Sequence, residues 1–323
     1  MSIALSIIIP TYNTAALTVQ CLNYIQKFPP SSPYEVIVVD NHSSDSTVAD
    51  VRREHPEAAI IAHDRNLGFS RACNHGARLA LGSNLLFLNS DTEAREGGFD
   101  VLLSWLQNHP RGGIVGPELI GPESQLLQMS WGWDPLLFKE LIQQYFAPYA
   151  VQRSPLRQHF IRHLQRKSRR VPSICGACLM IRRDAFNQLH GFDEDFELYF
   201  EDSDLCYRCA RAGWEVDFVA EAQMIHRLGQ STRGSWNKTS LIYQQSHIAF
   251  YRKHAPRWAT RLLKWYLLFK WLRLRWVSMR EPEQKEVSRA YCRTYFQMIL
   301  EKYKIELEER RSEERYVAPR YSS

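Results

Sequence analysis

The chain has 323 residues, of which 45% are hydrophobic and 24% charged, and its net charge is +6. That composition excludes a disordered chain and can bury one large core or two modest ones. The positive balance is small, so where the bases lie says more than how many there are.

The opening stretch SIALSIIIPTYN reads as a buried strand running into a polar turn, not as a basic, apolar and cleavable leader. A cytosolic protein is therefore expected, with its seven cysteines held as thiols rather than in a disulfide framework. Strands are predicted at Leu5 to Ile9, Glu35 to Val39, Ala58 to Ala62, Asn84 to Leu88 and Gly113 to Val115. Helices are predicted between them at Ala15 to Lys27, Thr47 to Arg53, Phe69 to Leu81 and Phe99 to Asn108. This alternation predicts a mostly parallel sheet with helices on both faces. In the Phe69 helix, Phe69, Ala72, Cys73, Gly76, Ala77 and Ala80 form a narrow stripe of mostly small residues, the sign of a helix packed close to its sheet.

Residues 121–171 interrupt the rhythm and are predicted to hold a helix near Leu136 to Phe146 followed by a mobile basic loop. SICGACLMIRRDAF then reads as a strand entering a short helix, Ser203 to Ala212 as a helix ended by Gly213, and WEVDFVAEAQMIH as strands leading to His226. Two regions are expected: one over 1–235, where strands and helices alternate, and a helical, basic and aromatic one over 236–323.

Ligands of open α/β sheets sit beyond the carboxyl ends of the strands. Asp40 leaves one such end, with Asp45 following in a Ser-rich turn where a helix cap is as good a reading as a ligand. Asn89, Ser90 and Asp91 leave another. Farther on, ELYFEDSDLC crowds Glu197, Glu201, Asp202 and Asp204 around two aromatics.

In order and spacing, SIIIPTYN, VIVVDNHSSDST, RNLGFSRACNHG, FLNSDTE and GACLMIRRDAF with GFDEDFELYFEDSDLCYRCARAGW resemble the family-2 glycosyltransferases of GT-A fold, and among them the rhamnosyltransferase-like bacterial enzymes. The resemblance covers roughly residues 3–230. It implies a Rossmann-like mixed sheet with a C-terminal helical extension, and an inverting transfer from a nucleoside-diphosphate sugar, with dTDP-L-rhamnose as the expected donor, to a saccharide or lipid-linked saccharide in cell-surface polysaccharide synthesis. Mg²⁺ or Mn²⁺ is the implied cofactor, and the cytoplasmic face of the inner membrane the implied place of work.

Residue by residue, the resemblance puts Pro10, Thr11, Tyr12 and Asn13 beside the nucleoside, Asp40 against the pyrimidine ring, and Asn66, Gly68 and Asn74 in the segment closing over the nucleotide. Ser90 joins the donor site, and Asp91 matches the last acid of the metal-binding triplet, whose first position is here Asn89, a neutral and weaker ligand. His226 matches a histidine that reaches metal or diphosphate, against the plain alternative of a hydrogen-bonded surface histidine. Asp202 matches the general base and Glu201 an acceptor-orienting acid, whereas Asp204 reads as a helix-opening acid.

Cys175-x-x-Cys178 and Cys206-x-x-Cys209 raise a zinc site, but their separation exceeds the usual interval, and Cys175 and Cys178 are expected on opposite faces of one strand. Two segments are basic and free of acids: Arg153 to Arg170 with seven Lys and Arg, and Arg257 to Arg280 with four tryptophans. The second is too charged to span a membrane; it suits a helix in the headgroup region of an anionic membrane, yet its bases fall into two groups on a helical wheel, and a helix packed on the catalytic region is a comparable reading. Two other functions remain open: a sugar-nucleotide pyrophosphorylase, which would want a glycine-rich first loop that IIIPTYNTAAL lacks, and a nucleic-acid-binding protein, for which no recognised module appears.

Overall fold

A computed structural model of the protein describes residues 2–121, 128, 130–132, 155–227 and 236–280. The chain divides into two compact units, Met1–Gly234 and Ser235–Ser323.

In the first unit, β1 (Leu5–Thr11), β2 (Tyr34–Asp40), β3 (Ala59–Ala62) and β4 (Asn84–Leu88) alternate with α1 (Ala15–Lys27), α2 (Thr47–Glu54) and α3 (Phe69–Leu79). There follow β5 (Thr92–Ala94), α4 (Gly98–Asn108), β6 (Gly112–Ile120), β7 (Trp131–Gly132), α5 (Pro155–Leu164), β8 (Arg169–Arg170), β9 (Ser173–Ile174), β10 (Cys178–Arg182), α6 (Arg183–Gln188), α7 (Glu201–Arg211) and β11 (Glu215–His226). The main sheet runs β3-β2-β1-β4-β10-β6-β11-β5, with β8 also pairing β11. β1 is wholly buried, as a continuous apolar run at the centre of a covered parallel sheet should be. Ile7 and Ile9 pack into the core on one face and Ile8 into that on the other, so both faces are sealed by helices.

Register places the site. Thr11 pairs with Asp40 and Asp40 with Ala62, so β1, β2 and β3 end level. β10 runs antiparallel to β4 with Cys178 opposite Leu88, which brings the turn before β10 to the carboxyl end of β4. β11 runs antiparallel to β5 with His226 opposite Thr92, next to Asp91. A sheet that is parallel on one side and reversed at β10 thus gathers residues from distant parts of the sequence at one edge.

Close packing of α3 on the sheet is as its small-residue stripe predicts. A Cβ added at Gly76 would lie 2.6 Å from Ile8 Cγ2 and 3.0 Å from Val39 Cγ2. The helix ends at Leu79 rather than Leu81, because Ala80 turns to extended backbone and Gly82 passes so close to β1 that a Cβ there would lie 2.6 Å from the Ser6 nitrogen.

Three expectations are corrected. The basic segment after residue 153 is not a loop throughout: Pro155 opens α5, a position where its missing N–H costs nothing, and Ile161 and Gln165 are buried. Cys175 lies in a turn between β9 and β10, not on a strand with Cys178. WEVDFVAEAQMIH forms one long strand, with its pairing to β6 irregular between Val219 and Gln223. The helix expected at Leu136 to Phe146 lies outside the described residues.

The second unit begins with α8 (Trp236–His254) and α9 (Arg257–Arg280), which pack on each other; Pro256 sits just before α9, where it stops the preceding helix. Among the described residues no helix is long and apolar enough to cross a membrane.

Candidate active site

The turns after β1 and β2 are stapled together. Asn13, at φ 53, accepts a hydrogen bond on Oδ1 from the Ser44 amide at 2.7 Å, and its own amide donates to Ser43 Oγ at 2.8 Å. Asparagine tolerates this left-handed backbone because its short amide can bond locally. Tyr12, beside it, is 46% exposed and presents a free aromatic face at the strand edge. Pro10 is buried in β1. Thr11 is buried too, its hydroxyl bonded to Thr14 at 2.7 Å and Thr18 at 2.8 Å, and Thr14 in turn reaches Ser90 Oγ at 3.2 Å. Thr11 and Ser90 therefore spend their side chains on locking β1, α1 and the turn after β4 together.

Asp40 is 3% exposed; its Oδ2 accepts from the Ser43 amide at 3.0 Å, and its Oδ1 is buried with no hydrogen-bond partner. A buried carboxylate oxygen left bare costs free energy until a donor meets it. Asp45 serves as a cap: its carboxylate accepts from the Thr47 and Ala15 amides, and those bonds, with the one from the Thr47 hydroxyl, outweigh partial burial and hold its pKa below the usual carboxylate range.

Asn41 escaped the sequence reading. Buried next to Asp40, it donates from Nδ2 to Asn66 Oδ1 at 2.9 Å and to the Gly68 carbonyl at 3.1 Å, and accepts on Oδ1 from the Leu67 amide at 2.8 Å. One side chain thus holds the 66–68 segment over the end of β2. Gly68 has φ 84, and a Cβ there would come within 3.1 Å of the Glu197 carbonyl oxygen, so both backbone and space demand glycine. On the far side the same segment is tied to ELYFED, the Phe69 amide donating to the Glu197 carbonyl at 2.7 Å and Ser70 Oγ to the Phe196 carbonyl at 2.5 Å.

Asn74 differs from its expected place among donor contacts. Its Nδ2 donates to the Phe192 carbonyl at 2.9 Å and to Glu194 at 3.1 Å, while its Oδ1 accepts from the Phe192 amide at 2.9 Å. The amide is committed to the turn leading into ELYFED, and its part is to position that turn.

At the end of β4, Asp91 is 2% exposed and neither of its carboxylate oxygens has a hydrogen-bond partner. His226 Nε2 stands 3.4 Å from Asp91 Oδ1, outside hydrogen-bond geometry, so the pair leaves both oxygens available. Gln128 orients the buried histidine from behind, with its Oε1 3.0 Å from Nδ1 and its Nε2 donating to the His226 carbonyl at 2.7 Å. The Arg227 amide donates to the Asp91 carbonyl at 3.0 Å, and its guanidinium binds Glu93 at 2.5 Å.

A divalent ion suits this corner: a bare buried carboxylate beside an imidazole, with Asn89 two residues before Asp91 in the same turn, is a partial ligand set of the kind that Mg²⁺ or Mn²⁺ completes with phosphate oxygens and water. Among the described residues no group of three His, Cys, Asp or Glu could hold a metal alone. The cysteines bear on this differently. Cys178 and Cys209 have their thiol pKa raised by burial, that of Cys209 to about 12, and the Cys206 sulfur accepts from the Ile174 amide at 3.4 Å.

The turn before β10 joins the metal corner to the ELYFED acids. The Ala177 carbonyl accepts from the Asn89 amide at 3.0 Å and from Thr92 Oγ1 at 3.3 Å, and the neighbouring Gly176 amide donates to Asp202 Oδ2 at 2.9 Å. Asp202 Oδ1 accepts from the Ser203 amide at 2.6 Å. A half-buried carboxylate so gripped, at the start of α7, has a fixed direction. Just before it, Tyr199 and Phe200 both adopt left-handed backbone, at φ 67 and φ 65. Such strain in two bulky residues costs about 1–3 kcal/mol each and persists only where the surroundings enforce it, often at a functional site.

Glu201 is buried, and its Oε2 has no partner. Burial foremost, and then the adjacent Asp202 carboxylate, raise its pKa well above the ordinary glutamate value. Asp204 does not open the helix, which starts at Glu201; it is wholly buried in the first turn and paired with Arg208 Nε at 2.6 Å, one turn along.

The central mixed sheet flanked by helices, with acids leaving its strand ends, is an α/β fold whose kind the comparisons with known proteins define. The family model "Glycosyl transferase family 2" matches residues 6–189, more than half of the chain, and "Glycosyl transferase family group 2" matches 135–299. The chain belongs to glycosyl transferase family 2 and is a glycosyltransferase. The pyrophosphorylase and nucleic-acid readings fall with that. It is 27% identical over 247 residues to an N-acetylglucosaminyl-diphospho-decaprenol L-rhamnosyltransferase of Mycobacterium tuberculosis, covering 73% of this chain and 80% of that one, so within the family it is rhamnosyltransferase-like. In fold it is similar to the mannosyltransferase PcManGT from Pyrobaculum calidifontis in complex with GDP-Man and Mn²⁺, with a TM-score of 0.56, 19% identity and 94% and 88% of the two chains covered. GalNAc-T7 with UDP, GalNAc and Mn²⁺ gives a TM-score of 0.54 at 16% identity, covering 77% of this chain and 50% of that one. These neighbours bear on the fold, which is of GT-A type.

Proposed function

We propose that residues 1–235 catalyse an inverting, metal-dependent transfer of a sugar from a nucleoside diphosphate to a hydroxyl of a lipid-linked saccharide, with dTDP-L-rhamnose as donor, in the synthesis of a cell-surface polysaccharide. The observation that carries the reading is Asp91, almost wholly buried at a strand end with neither carboxylate oxygen hydrogen-bonded. The donor and acceptor classes rest on the likeness to the mycobacterial enzyme, and a divalent ion is further supported by the Mn²⁺ in both structural neighbours.

Asp40 Oδ1 accepts the ring N–H of the pyrimidine, the exposed face of Tyr12 covers the base, and Asn41 holds Asn66 to Gly68 as the wall over the nucleotide. Asp91 and His226, with Asn89 two residues before Asp91 in the same turn, would hold the ion. When bound, it neutralises the charge that collects on the departing diphosphate. Asp202, steered by the Gly176 and Ser203 amides, takes the proton of the acceptor hydroxyl as that oxygen attacks the anomeric carbon from the side opposite the diphosphate. Glu201, its pKa raised by burial and by the neighbouring Asp202 carboxylate, backs Asp202 from the buried side.

The test is calorimetric binding of dTDP and UDP with and without Mn²⁺, followed by a transfer assay with dTDP-L-rhamnose and a lipid-linked N-acetylglucosamine acceptor. Metal-dependent dTDP binding and rhamnosylated product with inverted configuration are expected. Failure of folded protein to bind either nucleotide would sink the donor assignment.

A further inference from the structure

The second unit carries a surface outside the residues of the candidate site. Along α9, Trp258, Leu262, Trp265, Phe269, Leu272 and Trp276 recur at alternating spacings of four and three and are 53%, 56%, 69%, 66%, 50% and 51% exposed. At a rise of 1.5 Å per residue this is one continuous apolar line about 27 Å long. The opposite side of the helix is the buried one, through Ala259, Leu263 and Leu267. A row of exposed tryptophans and phenylalanine on a soluble surface marks a docking site.

The charge pattern says what docks there. Arg257–Arg280 holds seven bases and no acid, and on the helical wheel the two groups of bases lie on either side of this stripe. Arg257 and Arg261, on one flank, are exposed. The split that told against a one-sided amphipathic helix is thus what a helix lying flat in a headgroup layer requires, with apolar side chains pointing into the acyl boundary and long bases reaching sideways to lipid phosphates. A second copy of α9 would set like charges against one another. Residues 281–323 carry nine acids and nine bases, no net charge to match the helix.

We propose that α9 is an in-plane membrane anchor, its tryptophan stripe inserted in the headgroup region of an anionic bilayer. The proposal stands on α9 alone and is independent of the catalytic reading. The test is co-sedimentation of the full chain with vesicles of phosphatidylcholine alone or with about 30% phosphatidylglycerol, read together with tryptophan emission. Expected are at least a tenfold preference for the anionic vesicles, a blue shift on binding, and weakening by added salt. Trp265→Glu with Phe269→Glu, and separately Arg257→Glu with Arg261→Glu, should each weaken binding at least tenfold. All four positions are exposed, and unchanged nucleotide binding and circular dichroism on the same preparations will show that the fold is intact. No binding by the wild type, equal binding to neutral vesicles, binding indifferent to the Trp265 and Phe269 changes, or a lipid-free dimer that those changes dissociate would each overturn it.

Discussion

Asp202→Asn separates chemistry from binding. The substitution keeps shape but removes the group that takes the proton, and a positioned general base contributes about 10² to 10⁴ in rate. That corresponds to about 3–5 kcal/mol of barrier, so kcat should fall at least a hundredfold. The structural cost is smaller. Asp202 accepts from two amides, Gly176 at 2.9 Å and Ser203 at 2.6 Å, and an asparagine oxygen can serve only one of them. One amide left without its acceptor in a half-buried place costs about 1 kcal/mol, or about 2–4 °C in melting temperature for a unit of this size. Donor affinity should be within about threefold of wild type, because the nucleotide side of the site is built from Asp40, Asn41 and Asp91. The assay is single-turnover transfer alongside nucleotide calorimetry and a thermal melt. Turnover within tenfold of wild type would refute the base assignment; loss of nucleotide binding would place Asp202 in the donor site instead.

Asp91→Asn should weaken Mn²⁺-dependent nucleotide binding by tenfold or more while sparing metal-independent binding, as isothermal calorimetry will show, since it removes the one charged ligand of the corner. Chelation of the wild type should have the same effect, and a chelator-resistant, fully active enzyme would contradict the metal reading. Glu201 is protonated in the fold at a pH where the unfolded chain would ionise it, so stability falls as pH rises above the ordinary glutamate pKa of 4.5. Glu201→Gln removes that loss, so its melting temperature should gain on wild type as pH rises above 4.5; a wild type that gains on the variant as pH rises would show the sign to be wrong. Gly76→Ala forces a methyl group to within 2.6 Å of Ile8 Cγ2 between α3 and the sheet, and should cost about 1–3 kcal/mol in a urea melt.

Much was legible in the sequence because it rests on local rules. Short continuous apolar runs and stripes of period three to four located β1, β2, β4, α1 and α3 nearly to the residue, and Asp40 and Asp91 were visible as acids leaving strands. Basic α5 was missed because its charges mask a weak apolar periodicity, and a buried Ile161 says little by itself. Asn41, Gln128 and the Gly176–Ala177 turn were illegible for another reason. Each acts on a partner far away in sequence: Asn41 on residues 66–68, Gln128 on His226, Gly176 on Asp202. Thr11, Ser90 and Asn74 carried the family pattern, yet only tertiary contacts reveal that their side chains are committed to holding neighbouring segments. The same division governs α9. Its sequence alone determined a basic, tryptophan-rich helix unable to span a bilayer; which side faces outward depends on what the helix packs against, and that is a property of the folded chain.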